Sequence, residues 1–184
     1  MQMAQPHRFV PDPADGRALR DAFGHFATGV TIVTAAGPQG CLAITANSFS
    51  SVSMDPPLVL WSPARASSRF AVFAGAEHFA IHVLAADQRD LAWAVAGNGA
   101  ALAGMDLGLN ADGVPVLDHC LARFDCHRHA VHDAGDHAIV VGHVRHATVH
   151  QGEPLAFFRG KVAHIGHPEA TADTDHPGHR DHKT

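Results

Sequence analysis

The segment Thr45-Ala46-Asn47-Ser48-Phe49-Ser50-Ser51-Val52-Ser53-Met54-Asp55-Pro56-Pro57-Leu58-Val59-Leu60-Trp61 joins short polar side chains, a double proline and an apolar run. Thr, Asn and Ser offer short donors and acceptors that also bond readily to neighbouring backbone. A ligand lying along this stretch would meet polar contacts without a fixed side-chain charge. A Ser-rich loop between two strands accounts for the same composition. Pro56 and Pro57 donate no backbone hydrogen bond, so they mark an entry point, and Leu58 to Trp61 reads as a short buried strand.

Upstream, Leu19, Ala22, Phe23 and Phe26 recur at three- and four-residue spacing and predict an amphipathic helix over Asp15 to Ala27, broken by Gly29. The β-branched run Val30 to Ala35, a Gly37-Pro38-Gln39-Gly40 turn and Cys41 to Thr45 read as an antiparallel hairpin. Its second arm leads straight into the opening segment.

Downstream, Ser67-Ser68-Arg69-Phe70 reads as a helix start with Ser67 or Ser68 as N-cap. Free amides, the helix dipole and the Arg69 charge would cradle a phosphate; a plain cap beside a surface arginine is the alternative. His78 to Leu84 is bounded like a strand, and Asp87 is expected to cap a helix over Gln88 to Ala96. The Gly- and Asn-rich connection from Gly97 to Gly113 reads either as an ordered loop over a site or as a mobile lid.

Strands are expected at Val114 to Leu117, Leu121 to His132 and His137 to His150, the last two joined by Asp133-Ala134-Gly135-Asp136. Leu155 to Phe158 and Lys161 to Ile165 flank Arg159-Gly160. Many short strands with few helices argue for a closed or nearly closed β-barrel, which removes exposed edges. The expected division is an irregular arm over 1–14, one domain over 15–166 and a His-rich tail over 167–184.

Composition bounds the function. The chain has 184 residues, 46% apolar and 17% charged, which suits a single globular domain. No apolar run reaches the roughly 18 residues of a membrane span, and Met1 to Asp15 lacks the order of a signal peptide, so the expected location is the cytoplasm. A formal charge of −5 without clustered Lys or Arg argues against nucleic acid. Cys41, Cys120 and Cys126 form no CxxC pair and read as buried thiols. Five of the 17 histidines fall between His164 and His182, in a tract without apolar periodicity. It reads as a solvated tail, with metal binding as the alternative, and no residue is assigned to a metal.

Three features in order carry a resemblance: Phe23-Gly24-His25-Phe26-Ala27-Thr28-Gly29-Val30-Thr31-Ile32-Val33-Thr34, then Thr45-Ala46-Asn47-Ser48-Phe49 through Pro57-Leu58-Val59, then Gly135-Asp136-His137 before a strand. From about Leu19 to Ile165 the chain resembles the short-chain flavin reductase family, the small components of two-component flavin-dependent monooxygenases. The resemblance implies an FMN-binding split β-barrel, mainly β with flanking helices, working as a homodimer. It implies hydride transfer from NADH or NADPH to FMN or FAD, with reduced flavin passed to a partner oxygenase.

By the same resemblance, Thr45, Ala46, Asn47 and Ser48, with Ser51, lie along the isoalloxazine. Ser62, Ser67, Ser68 and Arg69 hold the phosphate, Phe158 and Arg159 close over the flavin, and His137 stands near the nicotinamide. Relatives often carry Tyr near the final strand pair, whereas this chain has none and places Lys161-Val162 there.

Cofactor-borne hydride transfer needs only stacking and geometry from the protein, in keeping with the absence of a convincing nucleophile or carboxylate pair. His137 alone reads equally as a turn-flanking residue. A flavin carrier without turnover, a pyridoxine-type split-barrel oxidase and a His-rich metal binder are the rival classes.

Overall fold

A computed structural model describes residues 7–38 and 40–165. The expected tail over 167–184 lies outside them. The first helix, α1, spans Arg17–Phe23, and the first strand, β1, is the short Thr28–Gly29. The expected hairpin is present as β2 (Thr31–Gly37) and β3 (Gly40–Ala46), with Gly40 at φ 104° in the turn. Next come β4 (Ser50–Met54), β5 (Pro57–Trp61), α2 (Phe70–Gly75) and β6 (His78–Val83). A 3₁₀ turn at Ala86–Gln88 leads into α3 (Arg89–Gly97). The chain continues through β7 (Gly108–Leu109), β8 (Pro115–Val116), β9 (Ala122–Ala134) and β10 (His137–Val149). It ends in β11 (Leu155–Phe158) and β12 (Lys161–His164).

The architecture is mainly β, a split barrel rather than a closed one. Seven strands form one antiparallel sheet in the order β3-β2-β6-β9-β10-β5-β4, and β1, β11 and β12 form a separate three-stranded sheet. Edge strands β3 and β4 do not pair with each other, so the barrel anticipated as closed or nearly closed has a seam there. The Asn47-Ser48-Phe49 link crosses that seam, which puts the opening segment on it.

Why β2 lacks the polar alternation of a surface strand is evident from its packing. Val30 and Ile32 join one core cluster with Ala43, Leu84, Val95 and Leu155. Val33 and Ala35 join another with Trp61, Phe73, Phe79 and Val140. A strand buried on both faces is apolar along most of its length, and the buried Thr34 hydroxyl donates to Pro115 O at 2.6 Å. The second cluster is bound by aromatic contacts, Trp61 meeting Phe73 edge-on at 5.3 Å between centroids. Gly142 of β10 sits at a register shift, where a Cβ would approach Phe79 to 2.7 Å and Cys126 to 3.0 Å. Only glycine lets that strand pack so closely.

Several sequence expectations change. The helix expected over Asp15 to Ala27 is shorter, and α1 buries none of its residues; Phe23 and Phe26 are 68% and 78% exposed. The apolar stripe therefore belongs to a cleft wall. The Ser-rich residues 50–54 are edge strand β4 rather than loop. Asp87 does not cap α3: Gln88 is the N-cap, and its Oε1 accepts the Ala85 N–H at 2.9 Å. The Gly97 to Gly113 connection is ordered cover, with Leu102 buried in the first cluster and Asn110 Oδ1 accepting the N–H groups of Asp112 and Val114.

The cysteines are free thiols, two of them buried. Burial pushes Cys126 up to about 12 and Cys41 up to about 11. His82 and Asp125 are ionisable groups inside the core. His82 is completely buried; its Nδ1 donates to Ile32 O at 3.0 Å while Nε2 accepts the Leu117 N–H at 3.1 Å. Those partners define a neutral tautomer. Asp125 faces Arg123, with Nη2 donating to Oδ2 at 3.4 Å and an Nε to Oδ1 ion-pair distance of 3.2 Å.

Candidate active site

A cleft of about 1120 Å3 opens between the end of α1, the β1 strand and the β11–β12 turn. Its size matches the several hundred to roughly 1,000 Å3 typical of small-molecule sites. Arg20, His25, Thr28, Asn47, His137 and Arg159 contribute its polar lining, and Phe23, Phe26 and Phe157 its apolar surfaces. Two arginines against one carboxylate, Asp21, make the lining cationic in a chain of formal charge −5. Such a concentration raises the local affinity for an anion.

The walls are tied together by backbone. Thr28 and Phe157 are register partners in the β1–β11 ladder, and Arg159 N–H donates to Gly24 O at 2.8 Å. Arg159 is held at φ 51°, a left-handed conformation at the head of the β11–β12 turn. A Cβ on Gly24 would sit 3.2 Å from Arg159 Cα, so the helix end and the turn meet without a side chain between them.

His137 enters from the other side, at the start of β10 after the Gly135 turn at φ 65°. Asp136 bonds its Nδ1 at 2.8 Å, and that contact holds the Asp136 carboxyl below its usual range. The turn is fastened to the segment after β5: Arg65 N–H donates to Asp136 O at 2.8 Å, Ala138 N–H to Pro63 O at 3.1 Å, and the Arg65 side chain pairs with Asp133.

A smaller apolar recess of about 180 Å3 adjoins the cleft, lined by Thr45, Ala46, Ala92 and Trp93 among others. Asn47 and Phe157 border both spaces. Thr45 faces the recess while its hydroxyl donates to Ala92 O at 2.7 Å, anchoring β3 to α3. Ser48 Oγ accepts the Ser62 N–H at 2.9 Å, bridging the link across the seam to the end of β5.

The structure thus brings together Thr45, Ala46, Asn47, His137 and Arg159 of the residues singled out in the sequence. Ser48 and Ser62 are joined to each other. Phe158 packs edge-on to His25 at 6.3 Å, at the cleft margin. Ser51 lies on β4, outside the lining of both spaces.

The 67–69 phosphate cradle takes a different form. The N-cap of α2 is Arg69, not Ser67 or Ser68, and Ser67 Oγ instead accepts the Arg69 N–H at 3.2 Å. The Arg69 guanidinium is turned onto the protein's own carbonyls: Nη1 donates to Ala43 O and Val95 O at 3.0 and 2.9 Å, and Nη2 to Ala96 O at 3.3 Å. Unpaired carbonyls at the C-terminal end of α3 attract a cation, so Arg69 closes that helix.

Sequence reading passed over Arg20, Thr28 and Phe157. The Thr28 hydroxyl is the informative one, since its Oγ1 is buried, lines the cleft and has no hydrogen-bond partner. Buried polar atoms are nearly always paired, so an orphan facing a cavity marks a place for a ligand polar atom. The available signal was the Phe23 to Thr28 motif, whose two exposed aromatics serve no core.

The sequence pattern of the flavin reductase like domain matches residues 23–166. The FMN reductase (NADH) SmoA of Agrobacterium fabrum is 52% identical over 160 residues, covering 87% of this chain and 92% of that protein. The reductase component of the flavin-dependent trigonelline monooxygenase of Acinetobacter baylyi is 44% identical over 146 residues, covering 78% of this chain and 47% of that one. Among solved structures, the Streptomyces globisporus NADH:FAD oxidoreductase SgcE6 with NAD and FAD fragments superposes with a TM-score of 0.80 at 34% identity, covering 89% of this chain and 99% of that one. The cleft, the fold around it and this matched span lead to one conclusion: the chain belongs to the flavin reductase-like family.

Proposed function

We propose that this protein is an NAD(P)H-dependent flavin reductase that supplies reduced flavin to a partner monooxygenase. The observation that carries the reading is the cationic cleft with the orphaned Thr28 hydroxyl inside it. The names of the relatives, an NADH-dependent FMN reductase and a monooxygenase reductase component, point the same way.

When bound, the two nucleotides supply the redox chemistry, a hydride moving from the nicotinamide of NADH or NADPH to FMN or FAD. The protein's part is to hold and orient. Thr28, Asn47 and the backbone of Thr45 to Ser48 are assigned to the polar edge of the flavin ring. Arg20 and Arg159 are assigned to phosphate in place of Arg69, whose guanidinium is taken up by carbonyls of the protein. His137, fixed by Asp136, is assigned to the nicotinamide side. Phe23, Phe26 and Phe157 exclude water from the ring contacts.

We also take the protein to be a cytoplasmic homodimer. Exposed Val52 and Met54 on edge strand β4 support the dimer, and no helix among the described residues is long and apolar enough to cross a membrane. Sedimentation showing a monomer at micromolar concentration would remove the dimer.

The activity itself is tested by following NADH and NADPH absorbance at 340 nm with FMN, FAD and riboflavin in turn. Catalytic loss of the nicotinamide signal is expected with at least one flavin. A flavin carrier without turnover would show none.

A further inference from the structure

Glu77, His78 and His127, none of which lines the cleft or the recess, bring three ligand-type side chains together at the start of β6. His78 and His127 are direct register partners in the β6–β9 ladder. Paired residues in an antiparallel ladder share a face, with Cβ atoms about 4.5–5.5 Å apart. Their rings lie 5.2 Å apart. Glu77 precedes β6 in the sequence, and its carbonyl accepts the Arg128 N–H at 2.7 Å, so its backbone is fixed against β9.

The side-chain atoms converge. Glu77 Oε1 is 3.5 Å from His127 Nε2 and 3.9 Å from His78 Nε2, and one ligand atom from each residue lies within 4.8 Å of the others. Tetrahedral bonds of about 2.0–2.1 Å to zinc separate neighbouring ligand atoms by roughly 3.3 Å. Two of the three edges are thus close to the required length.

A second observation lies behind the ligands. His78 Nδ1 is buried without a hydrogen-bond partner, and Asp112 Oδ2 stands 3.6 Å from it. A metal-bound imidazole characteristically donates its other ring N–H to a carboxylate, which fixes the tautomer and the ring plane. Asp112 is placed to fill that role while His78 turns Nε2 toward Glu77 and His127.

We propose that Glu77, His78 and His127 form a site for a divalent transition ion of the zinc type, with Asp112 orienting His78. Two imidazoles and one carboxylate suit such an ion and disfavour magnesium and calcium, which take oxygen ligands. Three protein ligands leave one position for water, and the 71% exposure of the Glu77 side chain opens that position to solvent. Binding staples the entry of β6 to the middle of β9, so the ion stabilises the folded sheet rather than taking part in hydride transfer.

The test is titration of the full-length protein with Co2+ alone, read by the visible bands of tetrahedral cobalt, together with Tm measured with and without Zn2+. Wild type is expected to show the bands at one equivalent and a Zn2+-dependent rise in Tm. His127→Ala and the exposed, near-isosteric Glu77→Gln should lose the bands, weaken binding at least about tenfold and lose the Tm rise. Both should retain NADH-dependent flavin reduction, which reports that the fold is intact. Replacing His176, His179 and His182 together by Ala should leave the bands in place. Unchanged cobalt spectra in Glu77→Gln, or loss of all binding in the tail variant, would overturn the proposal and leave the cluster as a set of His–carboxylate ion pairs.

Discussion

Arg159 donates its backbone N–H to the Gly24 carbonyl at 2.8 Å, tying the β11–β12 turn to the end of α1. The cleft therefore has a backbone frame at its cationic end, and the Arg159 side chain can be altered without removing that frame. Arg159→Gln should leave Tm within about 1 °C, since exposed substitutions usually shift stability little. It should raise KM for the flavin or the nicotinamide nucleotide about tenfold, the scale of one lost charge-assisted hydrogen bond. Steady-state kinetics with each nucleotide varied in turn locates the loss.

Thr28 separates function from stability. Its buried hydroxyl has no partner within the protein, so Thr28→Val removes an unsatisfied group and should leave Tm unchanged or slightly higher. The same change should raise the flavin KM about fivefold, the scale of one neutral hydrogen bond. A fall in both stability and affinity would mean the hydroxyl has a structural partner.

His82 makes the stability depend on pH in a defined direction. Burial lowers its pKa from the ordinary 6.5 to about 4 in the folded protein. Between those values the unfolded chain binds the proton and the folded one does not, so stability rises with pH. The contribution is complete above about pH 6.5 and is lost as pH falls toward 4, by roughly 3 kcal/mol at most. Urea midpoints at pH 7 and pH 5 should differ accordingly, and His82→Gln should flatten that part of the slope.

Asp125 should tolerate removal of its charge poorly. Asp125→Asn leaves the half-buried Arg123 guanidinium without its counter-charge, at a cost of about 3 kcal/mol in denaturant unfolding. Replacing both residues with leucine should cost less than the single change, because no unpaired charge remains.

Much of this fold is readable from local pattern. The β2–β3 hairpin shows in its β-branched run and Gly-bounded turn, and the long β9 and β10 strands show around Gly135. What misled were residues whose partners lie far away in sequence. The apolar spacing of α1 reads as a core face, but its aromatics line a cleft completed by β11 and β12. Arg69 reads as a phosphate ligand because the carbonyls it closes, Val95 and Ala96, lie 26 and 27 positions on. The Phe23 to Thr28 motif marks the segment in the sequence, but the Thr28 hydroxyl is informative only once its burial is known. The Glu77, His78 and His127 cluster likewise depends on strand register, which pairs positions 49 residues apart.

The proposed function places reductase chemistry in the cleft bounded by His137 and Arg159. Its most direct test is kcat/KM for NADH oxidation with FMN or FAD, for wild type and for the His137→Ala, Arg159→Gln double variant. Circular dichroism and Tm report the fold. Wild type should turn over, and the double variant should lose about a hundredfold in kcat/KM with its fold unchanged, the sum of two contacts of about 1.4 kcal/mol each. A folded double variant that turns over like wild type would place the chemistry outside this cleft.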